Sequence, residues 1–115
     1  MSQKTTTQTA GCANFAPSQT AGELTRQFVQ TKRQVKKYSG DNDCLDALSY
    51  AAGLLSANRD YFDQSKFISL TRAFCDSPEE LNTLLNLYSD WVNFLIQNHK
   101  LTREFSVDMP LYRFA

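Results

Sequence analysis

The sequence has a single histidine, three scattered cysteines and no glycine-rich loop. Cys12, Cys44 and Cys75 show no Cys-x-x-Cys spacing, and His99 alone cannot complete a zinc site with them. No Walker A run and no Gly-x-Gly-x-x-Gly occurs, so no nucleotide-binding loop is signalled. Asp41, Asp43 and Asp46 cluster, but no glycine and glutamate complete a calcium loop. No metal and no cofactor is expected.

An excess of charge is missing too. Twelve basic and twelve acidic residues cancel. No global field therefore draws the chain toward nucleic acid or anionic lipid. No apolar run approaches the roughly 18 residues of a membrane span. Met1 to Thr9 lacks the apolar stretch of a signal peptide. An odd number of unspaced cysteines argues against a disulfide framework and fits a reducing compartment. These absences together lead to the expectation of a cytoplasmic protein that makes no membrane contact.

What is present suits one small folded domain. The chain has 115 residues, long enough for a modest core without metal or disulfides. Hydrophobic residues make up 42% and charged ones 21%, which argues against wholesale disorder. Residues 1–19 are rich in Thr, Gln, Ser and Ala without periodicity, and read as a flexible arm.

The strongest local signal is Ser77-Pro78-Glu79-Glu80. Ser77 suits a helix cap, and Pro78 suits the first helical position, where a missing N–H costs nothing. Glu80 would close a capping box. Leu81, Leu84, Leu85, Tyr88, Val92 and Leu95 then form one stripe, with Leu84, Leu87, Trp91 and Phe94 beside it. So wide an apolar face predicts contact with two neighbours, or with one neighbour and a partner chain. Thr20-Ala21-Gly22-Glu23 fits another capping box, opening a helix whose inner face is Leu24, Phe28, Thr31, Val35 and Tyr38. Asp41-Asn42-Asp43 opens a third. Its apolar residues surround it, which predicts a helix wholly inside, with Gly53 admitting a neighbouring backbone. A further helix follows Asn58-Arg59-Asp60, with Phe67, Leu70, Thr71 and Phe74 inward.

Helices are thus expected near 21–39, 43–57, 61–75 and 78–99, packed as an all-α, irregular bundle of about four helices over residues 20–100. Residues 101–115 change period. Phe105, Val107, Met109 and Leu111 alternate with polar residues and Pro110, which predicts an extended tail with no second strand to pair it.

No catalytic set emerges. His99, at the end of the last helix, suits the helix dipole better than general-base work. Cys44 and Cys75 read as small core residues rather than nucleophiles. By elimination, the expectation is a non-enzymatic module that binds a protein partner as an adaptor, inhibitor or regulatory subunit. Its anchors would be Leu87 and Phe94, together with the tail residues Phe105, Met109, Leu111, Tyr112 and Phe114. Self-association through the same surface is a variant of this idea.

The runner-up is a nucleic-acid-binding regulator. Arg26, Arg33, Lys36 and Lys37 would line one side of the first helix, with no acid between Thr25 and Ser39. Four phosphate contacts would give a log–log salt slope of about −4. Neutral net charge, and acids at the start of the third helix, weigh against it.

Overall fold

Why four helices form where they do is visible at their ends. The computed structural model describes residues 19–38, 40–59, 61–75, 77–104 and 110–115. Helix α1 spans Ala21–Arg33, α2 Asn42–Asn58, α3 Gln64–Thr71 and α4 Pro78–Gln97. Strands β1 (Leu101–Glu104) and β2 (Leu111–Phe114) follow. The fold is mostly helical with a small two-stranded sheet.

Thr20 caps α1 as a complete capping box. Its hydroxyl accepts from the Glu23 N–H at 3.1 Å, and its own N–H donates to the Glu23 carboxylate at 2.8 Å. That backbone bond first, and the Thr20 hydroxyl second, hold the Glu23 carboxyl below its usual range. Ser77 caps α4 by accepting from the Glu80 N–H at 3.1 Å, with Pro78 in the first turn. Asp63 caps α3 by accepting from the Lys66 N–H at 2.9 Å.

Two helices are shorter than expected. The first stops at Arg33, not near residue 39, because the Gln34 and Val35 N–H groups bond three residues back, to Thr31 and Lys32. A 3-10 turn at Lys36–Tyr38 then buries Tyr38. Thr31 and Val35 are consequently exposed, while Leu24, Thr25, Phe28 and Val29 face inward. The third helix begins after Asp63 rather than at Tyr61. Phe62 is extended instead: its N–H donates to the Tyr112 carbonyl at 2.9 Å, and the Tyr112 N–H returns at 2.8 Å. The helix stops at Thr71, leaving Phe74 exposed on the connection to α4.

Helix α4 ends in a Schellman motif. The Lys100 N–H reaches the Leu95 carbonyl, the His99 N–H reaches that of Ile96, and His99 takes the left-handed conformation at φ 62°. Arg59 does the same after α2, at φ 51°.

The expected tail without a pairing strand is corrected. Leu101 pairs with Phe114, Thr102 with Arg113, Arg103 with Tyr112 and Glu104 with Leu111, in an antiparallel hairpin. Leu101-Thr102-Arg103-Glu104 carries one apolar residue, too few to show a strand by alternation. Phe105, Val107 and Met109, on which the period-two reading rested, lie outside the described residues.

The core has two halves. Between α1, α2 and α4 it is largely aliphatic, with Leu24, Leu45, Leu48 and Leu84 among its members. Toward the hairpin it is aromatic. Phe62 lies 5.7 Å from Trp91, 5.7 Å from Tyr112 and 5.5 Å from Phe114, and Phe67 lies 4.6 Å from Tyr88. The halves are joined by a polar link. The Trp91 Nε1–H donates to the Thr25 hydroxyl at 2.9 Å, and that hydroxyl donates to the Ala21 carbonyl at 2.7 Å.

Candidate protein-binding face

From Ala47 to Asn58 the chain carries no charged residue. In α2 this stretch divides by helical phase. Leu48, Ala51, Ala52 and Leu55 are buried, while Ser49, Tyr50, Gly53, Leu54 and Ala57 point outward and are exposed. The expectation of a helix enclosed on every side is therefore overturned. Its neighbours α1, α3 and α4 cover one side only. Tyr50 is 48% exposed and Leu54 37%. The Tyr50 ring packs 5.1 Å from that of Phe74, itself 41% exposed. Three large apolar side chains thus share one outer ridge.

Gly53 sits in the middle of that ridge. A Cβ placed there would meet nothing within 4 Å. Among the described residues no backbone comes close to it, contrary to the role expected for it. Glycine inside a helix costs about 1 kcal/mol relative to alanine, and no packing among the described residues explains that cost.

Beside the ridge, α1 and α2 enclose a groove of about 430 Å³. Arg26, Gln30 and Arg33 line its α1 wall, and Ser49, Ala52 and Gly53 its α2 wall. Arg33 is engaged at 2.8 Å with both the Asp46 carboxylate and the Asn42 side-chain oxygen. Lys36 and Lys37 fall on the 3-10 turn beyond the helix, with Lys37 5.4 Å from the Tyr38 ring. The early end of α1 thus divides the expected basic face. Lys32, on its flank, bonds Asp90 at 3.0 Å.

The anchors expected from sequence fare unevenly. Leu87 is corrected: it is wholly buried on the core side of α4, while Asn86, Ser89 and Asp90 take the exposed side. Phe114 is buried in β2 against Phe62. Phe94 is half-buried, 5.5 Å from the Phe28 ring. Leu111 and Tyr112 are half-buried in the hairpin. Phe105 and Met109 lie outside the described residues. Tyr50, Gly53, Leu54 and Phe74 were not singled out as contacts. The signal for the first three was the charge-free run on α2; Phe74 had only its place at a helix end.

His99 forms the left-handed turn after α4. Cys44 and Cys75 are buried with their Sγ atoms 3.7 Å apart. Burial, then the Cys75 hydrogen bond, then the charges of Asp41 and Glu80, push the Cys44 thiol up to about 12. Among the described residues, no group of three His, Cys, Asp or Glu side chains could hold a metal ion. Among them also, no helix is long and apolar enough to cross a membrane. No family model, curated protein or solved structure matches this chain.

Proposed function

We propose that this chain is a non-enzymatic protein-binding module whose contact face is the outer side of α2 with Phe74. The carrying observation is the uncharged outward face of Tyr50, Gly53 and Leu54, which no element among the described residues covers. Apolar ridges exposed on a small domain commonly mark interaction sites. Gly53 supports the same reading, since a close external backbone would use the space it leaves. Arg26 lines the groove beside the ridge, so the partner suited to it offers an apolar segment edged by a carboxylate.

The test is a Tyr50→Ser, Leu54→Ser double variant. Helicity should stay near that of the wild type, because both side chains lie on the outer side of α2. Self-association in the ultracentrifuge, and retention of partners the wild type captures, should both fall at least tenfold. Unchanged association would sink the reading. Electrophoretic shifts of random duplex and single strands at two salt concentrations form the second arm. A salt-weakened shift that survives the double variant, and is lost on replacing Arg26, Arg33, Lys36 and Lys37, would favour the nucleic-acid alternative.

A further inference from the structure

One buried pair of side chains has no part in the binding face. Cys44 lies in the first turn of α2, and Cys75 on the connection from α3 to α4. Packing brings them together across 31 positions of chain. The Cys75 thiol donates to the Cys44 sulfur at 3.7 Å, and the Cys44 thiol donates to the Glu80 carbonyl at 3.5 Å. Both residues are almost fully buried, at 1% and 3% exposure.

We infer that Cys44 and Cys75 form a redox-modification site, closing to an intramolecular disulfide by exchange with a small disulfide such as glutathione disulfide. A disulfide brings its sulfurs to about 2.0 Å, so each needs to move only a little from the observed 3.7 Å. We place access at the turn from Thr71 to Cys75. It is held by the Phe74 and Cys75 N–H groups, both bonded to the Thr71 carbonyl, at 3.0 and 3.2 Å. Opening that turn frees Cys75 without disturbing α2 or α4.

The chemistry balances in two exchanges. The Cys75 thiol releases its proton, and its sulfur attacks one sulfur of glutathione disulfide. The S–S bond breaks, and one glutathione leaves as a thiolate that takes up a proton. Reclosure sets Cys44 against the mixed disulfide. Cys44 gives up its proton, its sulfur attacks that of Cys75, and the second glutathione leaves and is protonated. The protein dithiol loses two electrons and two protons, and glutathione disulfide becomes two glutathiones. The closed, deeply buried thiols resist attack, so the exchange runs at the pace of turn opening. Once formed, the link joins the start of α2 to the approach of α4 and holds the turn that carries Phe74. Its effect on Phe74 rests on the proposed binding face, whereas the disulfide itself does not.

The experiment uses the full chain carrying Cys12→Ser, equilibrated in glutathione buffers from reducing to oxidising, acid-quenched and alkylated with a maleimide. The oxidised end should give one species lighter by two hydrogens, unlabelled at Cys44 and Cys75, and restored by dithiothreitol. Its thermal midpoint should rise by about 10 °C, and exchange of the Phe74 and Cys75 amides should slow about tenfold. Peptide mapping of the wild type should find 44 joined to 75, not to Cys12. Adding Cys75→Ala should abolish closure. Full labelling of both thiols in oxidising buffer, glutathione adducts that never close, or a link through Cys12 would each overturn the inference. A link that leaves midpoint and exchange unchanged would overturn its stapling effect. None of these readouts requires a partner, so they fail separately from the binding test.

Discussion

Two apolar surfaces of this molecule meet water on opposite terms. On the hairpin side, Phe62 packs against both Trp91 and Phe114, and all three are almost completely buried. On the outer side of α2, Tyr50, Leu54 and Phe74 are comparably apolar and remain between 37% and 48% exposed. Hydrophobicity alone does not separate them. Coverage does: the two bonds between Phe62 and Tyr112 lay the hairpin over the rings, while no element among the described residues covers the outer side of α2. Burial therefore follows which segments can satisfy their own N–H and C=O groups, and then which faces those segments reach.

The contrast can be broken most forcefully at Trp91. Trp91→Ala should cost about 3–5 kcal/mol by urea denaturation, whereas Leu54→Ser should stay within about 0.5 kcal/mol. Similar losses at both positions would erase the distinction between covered and uncovered surfaces. Next in size is the link between the two halves of the core. Thr25→Val keeps the shape but strands the buried Trp91 N–H, so a loss of about 1–3 kcal/mol is expected in the same assay. A neutral result would mean that Nε1–H finds another acceptor.

The inner side of α2 should be visible in alkali. The Cys44 thiol titrates near 9 when solvated and is pushed up to about 12 in the fold. The unfolded chain loses that proton first, so its stabilising contribution is complete below about pH 9 and disappears as pH climbs toward 12. Cys44→Ala should flatten this part of a pH–stability curve, and an equally steep variant curve would assign the loss elsewhere. The smallest effect sharpens the outer side. Gly53→Ala should raise stability by about 0.5–1 kcal/mol while weakening association. A gain in stability with association intact would show that nothing approaches that position closely.

Local signals made much of the fold legible. Thr20 with Glu23, and Ser77 with Pro78, marked two helix starts because capping depends on neighbours in sequence. Periodicity likewise placed Leu84, Tyr88, Trp91 and Leu95 in the core. Features depending on distant segments were not legible. The start of α3 is decided by Tyr112, and β1 is a strand because Leu111–Phe114 lies beside it. The exposure of α2 was not legible for the same reason. A helix apolar all round was expected inside, but exposure depends on how many elements remain to cover it. Leu87 is buried and Tyr50 exposed on that account.

The pairing of Phe62 with Tyr112 also orders events in time. Joining segments fifty positions apart carries an entropic charge that α1, α2 and α4 do not face when they form from near neighbours. On a growing chain, Phe62 has no strand to meet until Tyr112 has been synthesised, and its ring and main-chain groups wait uncovered through that interval. The aromatic half should therefore be the last to consolidate, and the one from which misassembly begins when synthesis outruns closure.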